Sequence, residues 1–277
     1  MARITAAARL TVRAEAEKFL AKYGFMHPPL PPDEAIAARK LEIVPLSLDD
    51  LLVKANLPPH KQAKIQAVLD INERAIVFRS GLGLQRQNWG KLHEVGHEFL
   101  PWHKELLYCC PLLWLPAHQL DQLEAEADIF AAEAFFFGGQ FTKLSAEGDF
   151  GLHTAKQLAE QVYGTSYHAT FTHYVEESNV PCCLLVWKPI QEALSIRPIS
   201  QLGLLYYIKS DEFSGHFQPG MITENEKLLD IINSHHNDVV KHEMQIDLGQ
   251  GELEVVQAES FCNSYNVFTL VIQQKGS

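Results

Sequence analysis

The sequence predicts an α+β protein, and three observations carry that prediction. A helix-compatible run holds the pentapeptide His93-Glu94-Val95-Gly96-His97. A second helical run over 120–137 sets Glu124 and Asp128 one turn apart. Beyond Pro181 the texture changes to short apolar, β-rich runs around one amphipathic helix. The chain therefore divides into a metal-site part over 1–138, a helical segment over 139–180 and an α+β part over 181–277.

With 277 residues, 47% of them hydrophobic and 21% charged, the chain can bury a real core and is expected to form two or three globular domains. A net charge of −11 repels nucleic acid and anionic membranes, and no basic patch contradicts that average. No run approaches the roughly 18 apolar residues of a membrane span. Residues 1–20 lack the uninterrupted apolar core of a leader, so a cytoplasmic location without membrane contact is expected. The five cysteines include two pairs of sequence neighbours and no C-x-x-C spacing. They fit neither a disulfide framework nor a zinc ribbon, and a reduced compartment is the simpler account.

In chain order, 6–22 reads as an amphipathic helix with Leu10, Ala14, Phe19 and Leu20 on its apolar side, ended at Gly24. Proline-rich 28–32 is a stiff connector to a helix over 33–40 and a strand over 41–46. Ser47 can cap a short helix over 48–55, which Pro58-Pro59 end. Strands over 66–71 and 75–78 flank a polar Asn72-Glu73-Arg74 turn and leave a sheet edge available to an extended peptide. Pro101 is expected to stop the regular structure, leaving the aromatic stretch 101–118 as a loop or lid. There His103, His118 and Tyr108 either meet substrate or line an ordinary apolar loop.

Gly138-Gly139 closes the second site helix. Over 151–178, two helices joined at Gly164-Thr165-Ser166 resemble a helix-turn-helix. Ala159 and Gly164 stand one position further apart than usual, however, so the turn is expected to carry an extra residue. Across 139–180 only Lys143 and Lys156 oppose Glu147, Asp149, Glu160, Glu176 and Glu177, the wrong balance for phosphate. Direct DNA binding is not expected, and packing against the metal-site part is. Strands over 182–187, 203–209, 252–258 and 267–273 follow, with a helix over 224–235 capped by Thr223. His235, His236 and His242 read as a solvated helix end.

Two histidines four positions apart lie about 40° apart around a helix, so His93 and His97 can reach one metal ion together. Glu94, beside the first, is placed to serve a water there without being a ligand, as a hydrolase's general base must be. Gly96 clears space for a neighbouring helix or a substrate backbone. Catalytic zinc commonly takes three protein ligands and leaves one position open. Glu124 can be the third ligand, with Glu126, about 200° away around its helix, as the alternative. Asp121 and Glu124 also fit an N-cap and N3 pair, although Pro116 argues for a helix that starts a turn earlier. Asp128 can accept the N–H of a ligating histidine and fix its tautomer. His93, His97 and Glu124 suit Zn²⁺, and Mn²⁺ is compatible with the same donors.

Arg86-x-x-Trp89 before His93-Glu94-Val95-Gly96-His97, followed by Glu124-Ala125-Glu126-Ala127-Asp128-x-Phe130-Ala131, resembles the ImmA/IrrE family of metallopeptidases. The match spans about residues 70–137, with Trp89 where Phe is commoner, a change not expected to matter for the metal. The long C-terminal part is similar to the radiation and desiccation response members of that family rather than to its shorter phage and mobile-element members. This resemblance implies a zincin-like metallopeptidase domain and a C-terminal GAF-like domain. It also implies a site-specific endopeptidase that cleaves an XRE-type helix-turn-helix repressor and so induces DNA-damage response genes. The alternative function is a DNA-binding transcriptional regulator with a structural metal site, and a third is a housekeeping peptidase.

Overall fold

Thr5 and Gly24 bracket the first helix, α1 (Ala6–Tyr23): the threonine side chain accepts the Ala8 N–H, and Gly24 adopts the left-handed conformation that stops the helix (φ 72°). The computed structural model describes residues 4–44, 48, 65, 67–109, 117–190, 198–218, 220–234, 237–247, 251, 253–263 and 265–273. The chain forms two units, Met1–Phe141 and Thr142–Ser277. In α1 the buried stripe is Val12, Ala16, Phe19 and Leu20, whereas Leu10 is 63% exposed and Ala14 is exposed too. So alanine-rich a helix has little contrast between its faces, and packing decides which stripe is covered.

Next in the first unit come α2 (Pro32–Ala38), β1 (Glu42–Ile43), β2 (Ala67–Asp70) and β3 (Ala75–Phe78). The strand order is β1-β3-β2, with β1 parallel and β2 antiparallel to β3, so β2 is an edge among the described residues. Asp70 Oδ1 accepts the backbone N–H groups of Asn72 and Glu73 and closes the β2–β3 turn. The helix expected over 48–55 lies outside the described residues apart from Leu48.

The long helices are α3 (Leu84–Phe99) and α5 (Ala117–Phe136), with α4 (Pro101–Cys109) between them. Pro101 therefore begins a helix instead of ending order: Leu100 breaks α3 by turning extended (ψ 118°), and proline is well suited to a first helical turn. Residues 101–109 are accordingly not a loop, and 110–116 lie outside the described residues. α1 and α3 both pack against α5. Phe130 of α5 sits at the crossing, its ring 5.6 Å from Phe19 and 5.8 Å from Phe99.

Glu98, 1% exposed, joins the pieces of this unit. Its carboxylate accepts from Arg39 of the loop after α2 (Nη2 to Oε1, 2.7 Å), from Arg74 of the turn before β3 (3.2 Å) and from Lys104 of α4 (3.4 Å). Burial pushes its pKa up, but the Arg39 guanidinium, with help from Lys104 and Arg74, outweighs burial and holds the group below the usual carboxylate range. A folded pKa below the unfolded one stabilises above the unfolded value, about 4.3, and that contribution disappears as pH falls through the folded value. Between pH 6 and 3 the wild type should therefore lose more thermal stability than Glu98→Gln. Parallel melting-temperature curves for the two proteins would contradict this.

α6 (Gly139–Ser145), inside which the unit boundary falls after Phe141, leads in the second unit to α7 (Leu152–Gln157), a π-helical turn (Leu158–Tyr163) and α8 (Tyr167–Glu176). The extra residue expected in the turn is thus taken up inside the helix, where i→i+5 bonding accommodates one more residue. Gly164 (φ 55°) then ends it and Ser166 caps α8. Six strands follow: β4 (Cys182–Pro189), β5 (Leu202–Lys209), β6 (Ile222–Thr223), β7 (Val240–Asp247), β8 (Leu253–Cys262) and β9 (Val267–Ile272). They form one antiparallel sheet in the order β6-β5-β4-β9-β8-β7, with the first and last strands paired at its centre.

α9 (Glu226–Asn233) covers one face through Leu228, Ile231 and Ile232, and its cap is Asn225, not Thr223, because Asn225 Oδ1 reaches the N–H groups of Lys227 and Leu228. The other face receives α8, whose Phe171 meets Phe261 and Phe268 edge-on. Glu259 of β8 accepts the Leu152 N–H at 2.6 Å and so caps α7 from the sheet. The helical segment expected to pack on the metal-site part makes these contacts with the C-terminal sheet. His242 is in strand β7, half-buried, with Nε2 2.9 Å from Ser260 Oγ; His235 and His236 lie outside the described residues. No helix among the described residues is long and apolar enough to cross a membrane.

Candidate metal centre

One turn of α3 presents His93 and His97 to the same side, their ring centroids 4.8 Å apart. α5 brings Glu124 opposite. The donor groups are mutually close, with a different carboxylate oxygen facing each imidazole: His93 Nε2 to His97 Nε2 is 3.1 Å, His93 Nε2 to Glu124 Oε2 is 3.3 Å, and His97 Nε2 to Glu124 Oε1 is 3.5 Å. Ligands about 2.0–2.1 Å from a tetrahedral centre stand about 3.3–3.4 Å from one another. The separations found here, 3.1–3.5 Å, are close to that requirement, so the residues present fit a zinc-sized ion. Side-chain exposure rises from 1% at His97 through 15% at His93 to 45% at Glu124, which puts the open side of the cluster at the carboxylate.

The close approach of the two helices depends on Gly96. A Cβ there would stand 3.1 Å from Phe130 Cδ1 and 3.3 Å from Phe130 Cβ. Alanine in a helix interior gains about 1 kcal/mol over glycine, while overpacking a core costs about 1–3 kcal/mol. Phe130, hemmed in by Phe19 and Phe99, has little room to yield, so overpacking wins. Gly96→Ala should lower stability by about 1 kcal/mol in urea unfolding, and an increase would show that Phe130 can move aside.

Protonation follows from the surroundings. Burial works against a charged His93, but hydrogen bonds to Asp128 (Nδ1 to Oδ1, 2.9 Å) and Glu124 outweigh it and hold the imidazolium well above the usual histidine range. Burial pushes His97 down to about 4, leaving it neutral at neutral pH. Glu124 is held well below the carboxylate range: hydrogen bonds from both imidazoles overcome its own desolvation. Burial pushes Glu94 up to about 7, against the pull of His93 and of a hydrogen bond from the Leu69 backbone N–H of β2. Glu94 Oε2 is buried and has no hydrogen-bond partner among the described residues.

Each expected site residue has a definite place. His93, His97 and Glu124 converge, and Asp128 lies beneath His93. Trp89, which sequence alone gave no reason to connect to the metal, directs its indole N–H toward Asp128 Oδ1 at 3.4 Å, a weak contact that Phe could not make. Asp121 does not cap α5, which begins at Ala117. Glu126 points away from the cluster and binds His103, which is fully buried rather than part of an exposed loop. Sequence reasoning missed that pairing and the Leu69 contact, and no local spacing signals either.

Fold and site together define a mixed α+β protein with a three-donor cluster suited to a divalent cation. No protein-family profile matches the chain, and no curated protein matches it in sequence. Among solved structures it is similar to a Mycobacterium tuberculosis transcriptional regulator, with a TM-score of 0.52 at 10% identity, covering 94% of this chain and 86% of that one. At that identity the likeness concerns fold alone.

Proposed function

We propose that the chain is a metal-dependent endopeptidase of the ImmA/IrrE type, with a zincin-like first unit and a GAF-like sheet domain in the second. The observation that carries this reading is the cluster of His93, His97 and Glu124 beside a buried carboxylate oxygen of Glu94 that is unpartnered among the described residues. A structural zinc normally has four closed protein ligands, and three donors open on one side favour catalysis. Bound Zn²⁺ would polarise the scissile carbonyl and lower the pKa of water toward about 7, and Mn²⁺ would suit the same donors.

The protein's own groups divide the remaining work. Asp128 accepts from His93 Nδ1 and directs Nε2 toward the cluster. The Leu69 N–H holds Glu94 in place, so its Oε2 can take a proton from the attacking water and return it to the leaving amine. Because β2, an edge strand among the described residues, is joined to Glu94 in this way, an extended peptide paired along it would pass the reacting groups.

The substrate class is what the ImmA/IrrE resemblance implies: an XRE-type helix-turn-helix repressor in the cytoplasm, cut once so that DNA-damage response genes are induced. Incubating the protein, with Zn²⁺ or Mn²⁺ added, with such a repressor from the same genome should yield two fragments of defined mass. Intact repressor under every metal condition would reject the proposal, and a ladder of fragments from unrelated proteins would make it a housekeeping peptidase.

A second reading, raised by the two helices joined at Gly164-Thr165-Ser166, is a DNA-binding regulator with a structural metal. Against it, α8, which would serve as the recognition helix, buries Thr170, Phe171, His173, Tyr174 and Val175 in its own unit. Salt-sensitive binding to a promoter fragment, without cleavage of the repressor, would favour the regulator.

A further inference from the structure

His97 has no carboxylate of the kind Asp128 provides for His93. Its Nδ1 lies instead 3.0 Å from Nδ1 of His103, a fully buried residue of α4. The other nitrogen of that ring, Nε2, is 2.9 Å from Glu126 Oε2. The carboxylate also accepts the Trp102 indole N–H at 2.6 Å on Oε2 and the Gln122 amide at 2.8 Å on Oε1. His97, His103 and Glu126 are all buried, at 1%, 0% and 3% exposure, while Gln122 lies at the exposed end of the chain of side chains.

The donor and acceptor roles follow in one direction. Indole and amide nitrogens can only donate, so both oxygens of Glu126 already act as acceptors. His103 Nε2 must then carry the hydrogen it shares with Glu126, and a neutral His103 is left with a bare, accepting Nδ1. His97 Nδ1 must in turn be the donor, which frees the lone pair of its Nε2 to face His93 and Glu124. Reversing the His103 tautomer would put a hydrogen on His97 Nε2 and aim it into the cluster.

We propose that His103 and Glu126 form a buried positioning relay that selects the metal-ligating tautomer of His97 across the helix pair. The relay rests on the metal-site reading above but assigns to two further residues a task that no motif gives them. His103 is a positioning residue here, since it touches neither substrate nor metal. Removing a group that orients a metal ligand commonly lowers metal affinity by about 10–100-fold.

The test uses the full chain, labelled with ¹⁵N-histidine and loaded with Zn²⁺. Two-bond nitrogen–proton couplings should find hydrogen on His97 Nδ1 and His103 Nε2, with His103 Nδ1 bare. In parallel, chelator competition should show His103→Leu binding Zn²⁺ about 10–100-fold more weakly than wild type. His103→Asn, whose amide oxygen can take the place of Nδ1, should recover most of the loss, which a purely space-filling role would not predict. Hydrogen on His103 Nδ1 in the wild type, or equal affinities for the Leu and Asn variants, would overturn the relay and leave the metal site standing. Failure of the wild type to bind Zn²⁺ would overturn both. Should His103→Leu not fold, the wild-type couplings decide the matter.

Discussion

Replacing Glu94 with glutamine is expected to reduce repressor cleavage by about 10²–10⁴-fold, the usual contribution of a positioned general base, while the protein keeps its metal. The amide retains one oxygen to accept the Leu69 N–H and fills the same space, so the fold has no reason to change. It cannot, however, take a proton from water. Single-turnover cleavage rates and zinc content, measured on the same preparation, check both halves. Undiminished cleavage would remove Glu94 from the mechanism. Loss of zinc along with activity would mean that Glu94 helps to hold the ion.

Phe130→Ala should have the largest effect on stability. The ring is fully buried and meets Phe19 and Phe99 while its Cβ and ring edge lie against Gly96. Truncating a buried phenylalanine costs about 3–5 kcal/mol, through lost transfer energy and the cavity left behind. Urea unfolding followed by tryptophan fluorescence, with Trp89 and Trp102 as reporters in the first unit, should show the free energy of unfolding fall by that amount. Because the same ring sets the spacing of α3 and α5, Zn²⁺ affinity should fall with it. A loss below about 1 kcal/mol would mean that neighbouring side chains collapse into the gap.

Much of the local structure was legible because its causes are local. Gly24 ends α1 within its own neighbourhood, and the polar turn over 72–74 sits between β2 and β3 as read. Readings failed where two local rules competed. Pro101 can end one helix or begin another, and only the extended Leu100 shows which. Thr223 and Asn225 are both good caps, and the chain uses the one whose side chain reaches two N–H groups. The extra residue before Gly164 was visible in the sequence, but its place was not, since a loop and a π-helical turn absorb one residue equally well.

The sequence by itself determined the α+β class, the i, i+4 pairing of His93 with His97 and of Glu124 with Asp128, and hence which side chains could share a face. These follow from helical periodicity, which needs no knowledge of distant parts of the chain. Only the tertiary structure decided that the two pairs meet, that Leu69 holds Glu94, that Glu259 caps α7 and that Glu126 serves His103. Each of those contacts joins different elements of the fold. Their geometry is set by core packing such as Phe130 against Gly96, for which the sequence carries no periodic signal.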